Sequence, residues 1–162
     1  MGLMGQLGEV CRTGQRRQAL AARRFSGKTT MENGTRAMPG GIFEIEEVSA
    51  TLVVIPVVDL RELDYQRIEA GAVEILDLLN GPRIKNVILD FHKTDYYGST
   101  ALAFFLKLWT RVRRRNGRMA FCNVSAHEKE ILQATRLDHV WPICSSRREA
   151  LEAVKGRAES PG

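Results

Sequence analysis

The chain has 162 residues, 44% of them hydrophobic and 27% charged, with a formal net charge of +5. That length allows one ordinary globular domain plus a tail, and no apolar run reaches the ~18–20 residues needed to cross a bilayer. The positive excess is local: residues 1–38 hold seven Lys or Arg and two Asp or Glu, whereas residues 39–162 hold 17 of each sign, so the folded part has no general attraction for nucleic acid.

Residues 1–38 are rich in Gly, Arg, Ser and Thr and lack the apolar stretch of a secretory signal. The start Met1-Gly2 suggests myristoylation only faintly, because Gln6 stands where Ser or Thr is wanted. This segment is expected to be a disordered basic extension, ended by Pro39-Gly40-Gly41. A folded domain is expected over 39–156 and a flexible end over 157–162. The cysteines, Cys11, Cys122 and Cys144, are odd in number and form no Cys-x-x-Cys pair, which fits a reducing cytoplasm.

Residues 42–48 alternate apolar and polar and read as an edge strand. Residues 51–58 are continuously β-branched and apolar, as in a strand buried on both faces, with Pro56 at a bulge or strand end. Asp64 reads as the N-cap of a helix, with Leu63 and Ile68 at the spacing of a hydrophobic staple. Ile68, Ala72, Ile75, Leu76 and Leu79 continue that helix until Asn80-Gly81-Pro82 stops it. Residues 86–91 form a second buried strand. Residues 101–115 read as an apolar helix with Leu102, Phe105, Leu106, Trp109 and Val112 inward and Asn116-Gly117 as its stop. Residues 119–124 are a third buried strand. Ser125 with Glu128, and Ser146 with Glu149, read as capping boxes of two further helices, separated by a short strand over 140–144. The order β-β-α-β-α-β-α-β-α implies an α/β fold with a mixed, mainly parallel sheet and about four helices packed on it.

Catalytic chemistry is hard to find. His92, His127 and His139 pair with no second His or Cys at helical spacing, so no metal site is expected. Neither phosphate-binding glycine motif occurs, and no cofactor is expected. Asp90 or Asp95 could serve as the phospho-acceptor of a receiver domain, but that site also needs an acidic pair after the first strand, where Ser49-Ala50 stand, and a Lys after the last. An enzyme is not expected, since no acid–base pair, nucleophile–base pair or metal set is in view. What remains is Ser99 and Thr100 at the start of the most apolar helix. Such a hydroxyl is either an N-cap or a phosphorylation switch, the added charge being tolerated by the helix end.

The run Val87-Ile88-Leu89-Asp90-Phe91, then Thr94-Asp95-Tyr96-Tyr97, then Gly98-Ser99-Thr100-Ala101-Leu102 resembles the signature of STAS domains, named for sulfate transporters and anti-sigma factor antagonists. Arg114-Arg115-Asn116-Gly117-Arg118, Asn123-Val124-Ser125 and Thr135-Arg136-Leu137-Asp138 continue the likeness. The resemblance implies a STAS-like fold and a regulatory protein-binding module. Its partner would be an anti-sigma factor or related serine kinase. Ser99, with Thr100 as the second hydroxyl, would be the phosphorylation site, flanked by partner-binding Asp95, Tyr96, Tyr97, Gly98 and Leu102. Gly98 stands where the family carries Asp. The alternative is a non-phosphorylated STAS scaffold or ligand-binding subunit of a larger regulatory or transport assembly. The basic run Arg111, Arg113, Arg114 and Arg115 reads as a solvated helix end or as a patch for an acidic partner.

Overall fold

The structure, a computed structural model, describes residues 34–61 and 63–156; the expectations for residues 1–33 and 157–162 fall outside the described residues. Six strands, Thr35–Ala37 (β1), Phe43–Val48 (β2), Thr51–Pro56 (β3), Asn86–Asp90 (β4), Met119–Cys122 (β5) and Ile143–Cys144 (β6), form one sheet in sequence order. β1, β2 and β3 pair antiparallel, and β3 to β6 pair parallel. This is the mixed, mainly parallel sheet expected from the alternation of elements.

The buried strands read as continuous apolar runs because each feeds two cores. Leu52, Val54, Val87, Leu89, Met119 and Phe121 point into the larger one. Val53, Ile55, Ile88, Ala120 and Cys122 point into the smaller one on the other face. The period of two is intact along every central strand. Pro56 is the last residue of β3, opposite Phe43, where a missing N–H costs least.

The strand β1 corrects the expected boundary at Pro39. Three residues of the supposed extension pair with Glu46, Ile45 and Glu44, and Arg36 makes an ion pair with Glu74. A strand this short has no periodicity to read, and its place comes from the edge it joins.

Five α-helices occur among the described residues: Tyr65–Gly71 (α1), Val73–Asn80 (α2), Ser99–Arg114 (α3), Ala126–Ala134 (α4) and Arg147–Lys155 (α5). About four were expected, because the run after Asp64 reads as one helix. It breaks at Ala72, whose N–H turns back to the Glu69 carbonyl at 3.1 Å. At the break Gly71 lies against Ile42, and a Cβ there would come within 2.9 Å of the Ile42 Cδ1. The Asp64 cap is as expected, its carboxylate accepting from the Arg67 N–H at 2.8 Å. So is the Ser125–Glu128 capping box on α4. At α5 only half of the box forms. Ser146 accepts from the Glu149 N–H, but the Glu149 carboxylate binds the N–H and hydroxyl of Ser145 instead.

The helix α3 buries Ala101, Leu102, Phe104, Phe105, Leu108 and Val112. Leu106, expected inward, is 42% exposed, and Trp109 is only partly buried. Residues 101–109 are apolar at so many positions that more than one stripe is available, and the aromatic core selects the one carrying Phe104 and Phe105. At about 1.5–3 kcal/mol for each large buried side chain, this face fixes the helix firmly. Asn116 takes the left-handed conformation that ends α3, at φ 55°. Gly117 is needed for another reason: a Cβ there would sit 1.8 Å from the Lys85 carbonyl oxygen. Arg115 is no patch residue, since it donates to the carbonyls of Leu79 and Gly81 at the end of α2.

Candidate functional site

Strand β4 delivers the chain at its C-terminal edge into a loop, residues 91–98, that opens α3. Gly98 is the N-cap of α3 in extended conformation (φ −105°, ψ −175°) and supplies no side-chain bond. Ser99 and Thr100 therefore lie inside the first turn and do not cap it, which settles the N-cap reading against both hydroxyls. The first helical bond runs from the Leu102 N–H to the Gly98 carbonyl. The N–H groups ahead of it are the free donors of a helix start, which favour an anion. Ser99 is exposed, and among the described residues its hydroxyl has no hydrogen-bond partner.

Beneath this turn lies a rigid pedestal. Tyr97 is 1% exposed. Its ring packs 5.2 Å from Phe91 and 5.4 Å from Phe105, and its hydroxyl donates to the Glu128 carbonyl at 2.9 Å. Burial and the nearby Glu128 charge both push its phenol up, so it stays protonated. Phe121 continues the stack to Trp141, with centroids 4.9 Å apart. Leu102 is buried in the same core. Tyr97 and Leu102, expected to face a partner, are corrected to supports from below: large apolar side chains beside a helix start sink into the core they can reach. Asp95 is exposed and hands its backbone carbonyl to the Ser125 hydroxyl at 3.1 Å, tying the loop to the start of α4. Glu128 in that capping box is fully buried, and among the described residues its Oε1 has no hydrogen-bond partner. Burial, helped by the charge of Asp95, pushes its carboxyl up to about 7 against the pull of the Ser125 hydrogen bonds.

Of the two loop tyrosines, Tyr96 is the one that reaches the surface. The Arg61 guanidinium carbon lies 3.9 Å from its ring centroid, and the His127 ring lies 5.0 Å from it. Three segments distant in sequence thus converge beside Ser99. Arg61 and His127 were missed from the sequence. His127 falls within a legible capping box, but nothing in the local pattern marks Arg61.

On the opposite face, at the same edge of the sheet, Asp90 forms a closed knot. Its carboxylate is 1% exposed. Oδ1 accepts from the His92 N–H at 3.1 Å and from Asn123 at 2.8 Å, while Oδ2 accepts from Arg147 Nε at 2.8 Å. Arg147 also reaches Glu46 at 2.7 Å. Burial alone would raise this carboxyl, but the hydrogen bonds from Asn123, Arg147 and His92 outweigh it and hold it below the usual carboxylate range. Cys122 beside it is pushed up to about 12, first by burial and then by the Asp90 charge, so no thiolate is available there. Among the described residues no group of His, Cys, Asp and Glu is placed to hold a metal ion, and no helix is long and apolar enough to cross a membrane. A groove of about 460 Å³ between α1, α2 and α3 is lined by Glu69, Asp77, Lys107 and Arg111. Across it Lys107 pairs with Glu69 and Arg111 with Asn80.

Comparison with known proteins agrees with this layout. A curated relative from Bordetella bronchiseptica, BtrV, described as an anti-sigma factor antagonist, is 27% identical over 71 residues, which make up 44% of this chain and 61% of that protein. A solved STAS-domain anti-sigma factor antagonist from Planctomyces limnophilus superposes with a TM-score of 0.61 at 29% identity, covering 70% of this chain and 98% of that one. The Bacillus cell-fate determinant SpoIIAA in its phosphorylated form shares the fold, with a TM-score of 0.56 at 18% identity over 69% of this chain and 98% of that one. The family model for the STAS domain matches residues 45–150, from the middle of β2 into α5, and the chain belongs to the STAS domain family.

Proposed function

We propose that this chain is a bacterial, cytoplasmic regulator that binds an anti-sigma factor or related serine kinase and is released when Ser99 is phosphorylated. It works by docking and not by catalysis. The observation that carries this reading is the Ser99 hydroxyl: exposed, unengaged, and held in the first turn of a helix whose buried face fixes its position. The curated relative's description supports the class of partner. Asp95, Tyr96 and Gly98 form the rim that a partner would cover, and Thr100, partly buried, is the second hydroxyl. A phosphoryl group there adds roughly −1.5 to −2 charges in the middle of that surface, which a docked partner must accommodate or leave.

Intact-mass measurement of the protein from its native cells, with peptide mapping across residues 93–107, tests this. The expected result is one phosphate on Ser99, and loss of the co-purifying partner in a Ser99→Asp pull-down. Partner binding with no phosphate on Ser99 or Thr100 under any growth condition overturns the switch. It would favour the second reading, a STAS scaffold that binds constitutively. Gly98 speaks for that reading, because the cap carries no carboxylate to hold the serine or meet a kinase.

A further inference from the structure

Arg61 sits in the loop between β3 and α1 and has no place in the STAS signature. Its guanidinium is chelated by Asp59, with Nε 3.1 and 2.9 Å from the two carboxylate oxygens, and the Asp59 carboxylate also accepts the Arg61 backbone N–H at 2.9 Å. The two side chains are 51% and 40% exposed, so the pair is wet and exchangeable. Two observations place this cation near the start of α3. Its guanidinium lies over Tyr96, three residues before Ser99. Its Cα is 3.9 Å from where a Cβ on Gly98 would stand, so its backbone touches the cap of α3. Ser99 is the next residue, one Cα–Cα step of about 3.8 Å from Gly98, so the extended arginine and phosphoserine side chains are long enough to span the gap.

We propose that Arg61 is the receptor, within this chain, for a phosphate on Ser99, and that it leaves Asp59 to bind it. The inference rests on Ser99 being the modified residue. Three considerations favour the exchange. A phosphate offers more charge than a carboxylate and three acceptor oxygens to the guanidinium fork. The free N–H groups at the start of α3 already favour an anion beside Ser99. Keeping the chelate would leave two anions close together with one exposed cation between them. The exchange changes the surface as well as the charge. Asp59 loses its counterion, Tyr96 loses its cover, and a partner seated on unmodified Tyr96 meets a different face. Gly98 fits this arrangement, because an aspartate at the cap would compete with the phosphate for Arg61.

The test uses the full chain with phosphoserine inserted at position 99 during translation, so its outcome does not depend on any kinase. The phosphate is titrated by ³¹P NMR in the wild-type background and in Arg61→Gln, Arg61→Lys and Asp59→Asn. The phosphate of wild type should titrate roughly half a pH unit below that of Arg61→Gln, as expected for one cation a few ångströms away in a wet site. Arg61→Lys should fall between them, and Asp59→Asn at or below wild type. The Arg61 Nε–H resonance should also shift with phosphate ionisation in wild type. Equal midpoints in all four proteins, with no movement of that resonance, overturn the proposal. Absence of phosphate on Ser99 in native cells would defeat the functional reading but leave this measurement intact.

Discussion

Two polar clusters stand at the same edge of the sheet, one on each face, and they differ in completeness. The Asp90 knot brings together the residue types associated with chemistry, an aspartate, a histidine, an asparagine and an arginine. Yet both carboxylate oxygens of Asp90 are bonded, and that carboxylate is buried. The Ser99 turn has the hydroxyls of Ser99 and Thr100 and a bare glycine cap, and among the described residues the Ser99 hydroxyl has no hydrogen-bond partner. A saturated cluster fixes a fold, and an idle group on a fixed support is available to a partner. Residue type alone ranks these two sites in the wrong order.

The largest effect should come from opening the knot. Asp90→Ala takes their shared acceptor from Asn123, the His92 amide and the Arg147 Nε–H, leaving Arg147 with Glu46 alone, and should cost about 3 kcal/mol of stability in urea unfolding. Partner capture by the protein that remains folded should be unchanged. If stability holds and capture is lost, the roles of the two clusters are reversed.

The second effect is a pH dependence on the Ser99 side. The folded-state carboxyl of Glu128, at about 7, lies above its ordinary value of 4.5. The folded protein therefore holds a proton that the unfolded chain has released, and stability falls as pH rises from about 4.5 to 7, by about 2–3 kcal/mol. Glu128→Gln, which keeps the capping geometry, should flatten that slope. Asp90 acts in the opposite sense and in another window: it contributes stability above its unfolded value of 3.8, lost as pH falls below it. A wild-type curve rising between pH 5 and 7 would contradict the assignment to Glu128.

Smaller still is Gly98→Asp. The cap has ordinary backbone angles and room for a Cβ, so an aspartate there should add about 0.3 kcal/mol. If the missing carboxylate limits kinase recognition, the variant should also be phosphorylated faster in a partner-kinase assay. Ser99→Ala should change the unfolding midpoint least, within about 0.3 kcal/mol, because no bond is lost. A larger loss would mean that the hydroxyl is structural after all.

What the sequence made legible was local. The Asp64 cap, the Ser125–Glu128 box and the two-faced strands all depend on neighbours within a few positions, and each is where it was expected. The order of elements, apart from β1 and the split of the helix after Asp64, and the Ser99 turn were readable for the same reason. The break at Ala72 needed Ile42, some thirty positions earlier in the chain. The choice of stripe on α3 was made by Phe91 and Phe121. Tyr97 was expected in the partner-binding rim because nothing nearby in sequence shows the aromatic core that receives it, whereas Leu102 already read as inward from its helical spacing. Arg61 was invisible because its partner ring belongs to another segment altogether.

The strand order carries one more consequence. Among the described residues every strand pairs only with its neighbours in sequence, so this sheet can be laid down progressively as the chain leaves the ribosome. Asp90 is made early in that process, and Arg147, which closes it off, arrives fifty-seven residues later with the last helix. Until then a carboxylate on a central strand is open to water on that face. A chain cut short before α5 would therefore lack both the Arg147 partner of that carboxylate and the Ala150 and Val154 side of the smaller core.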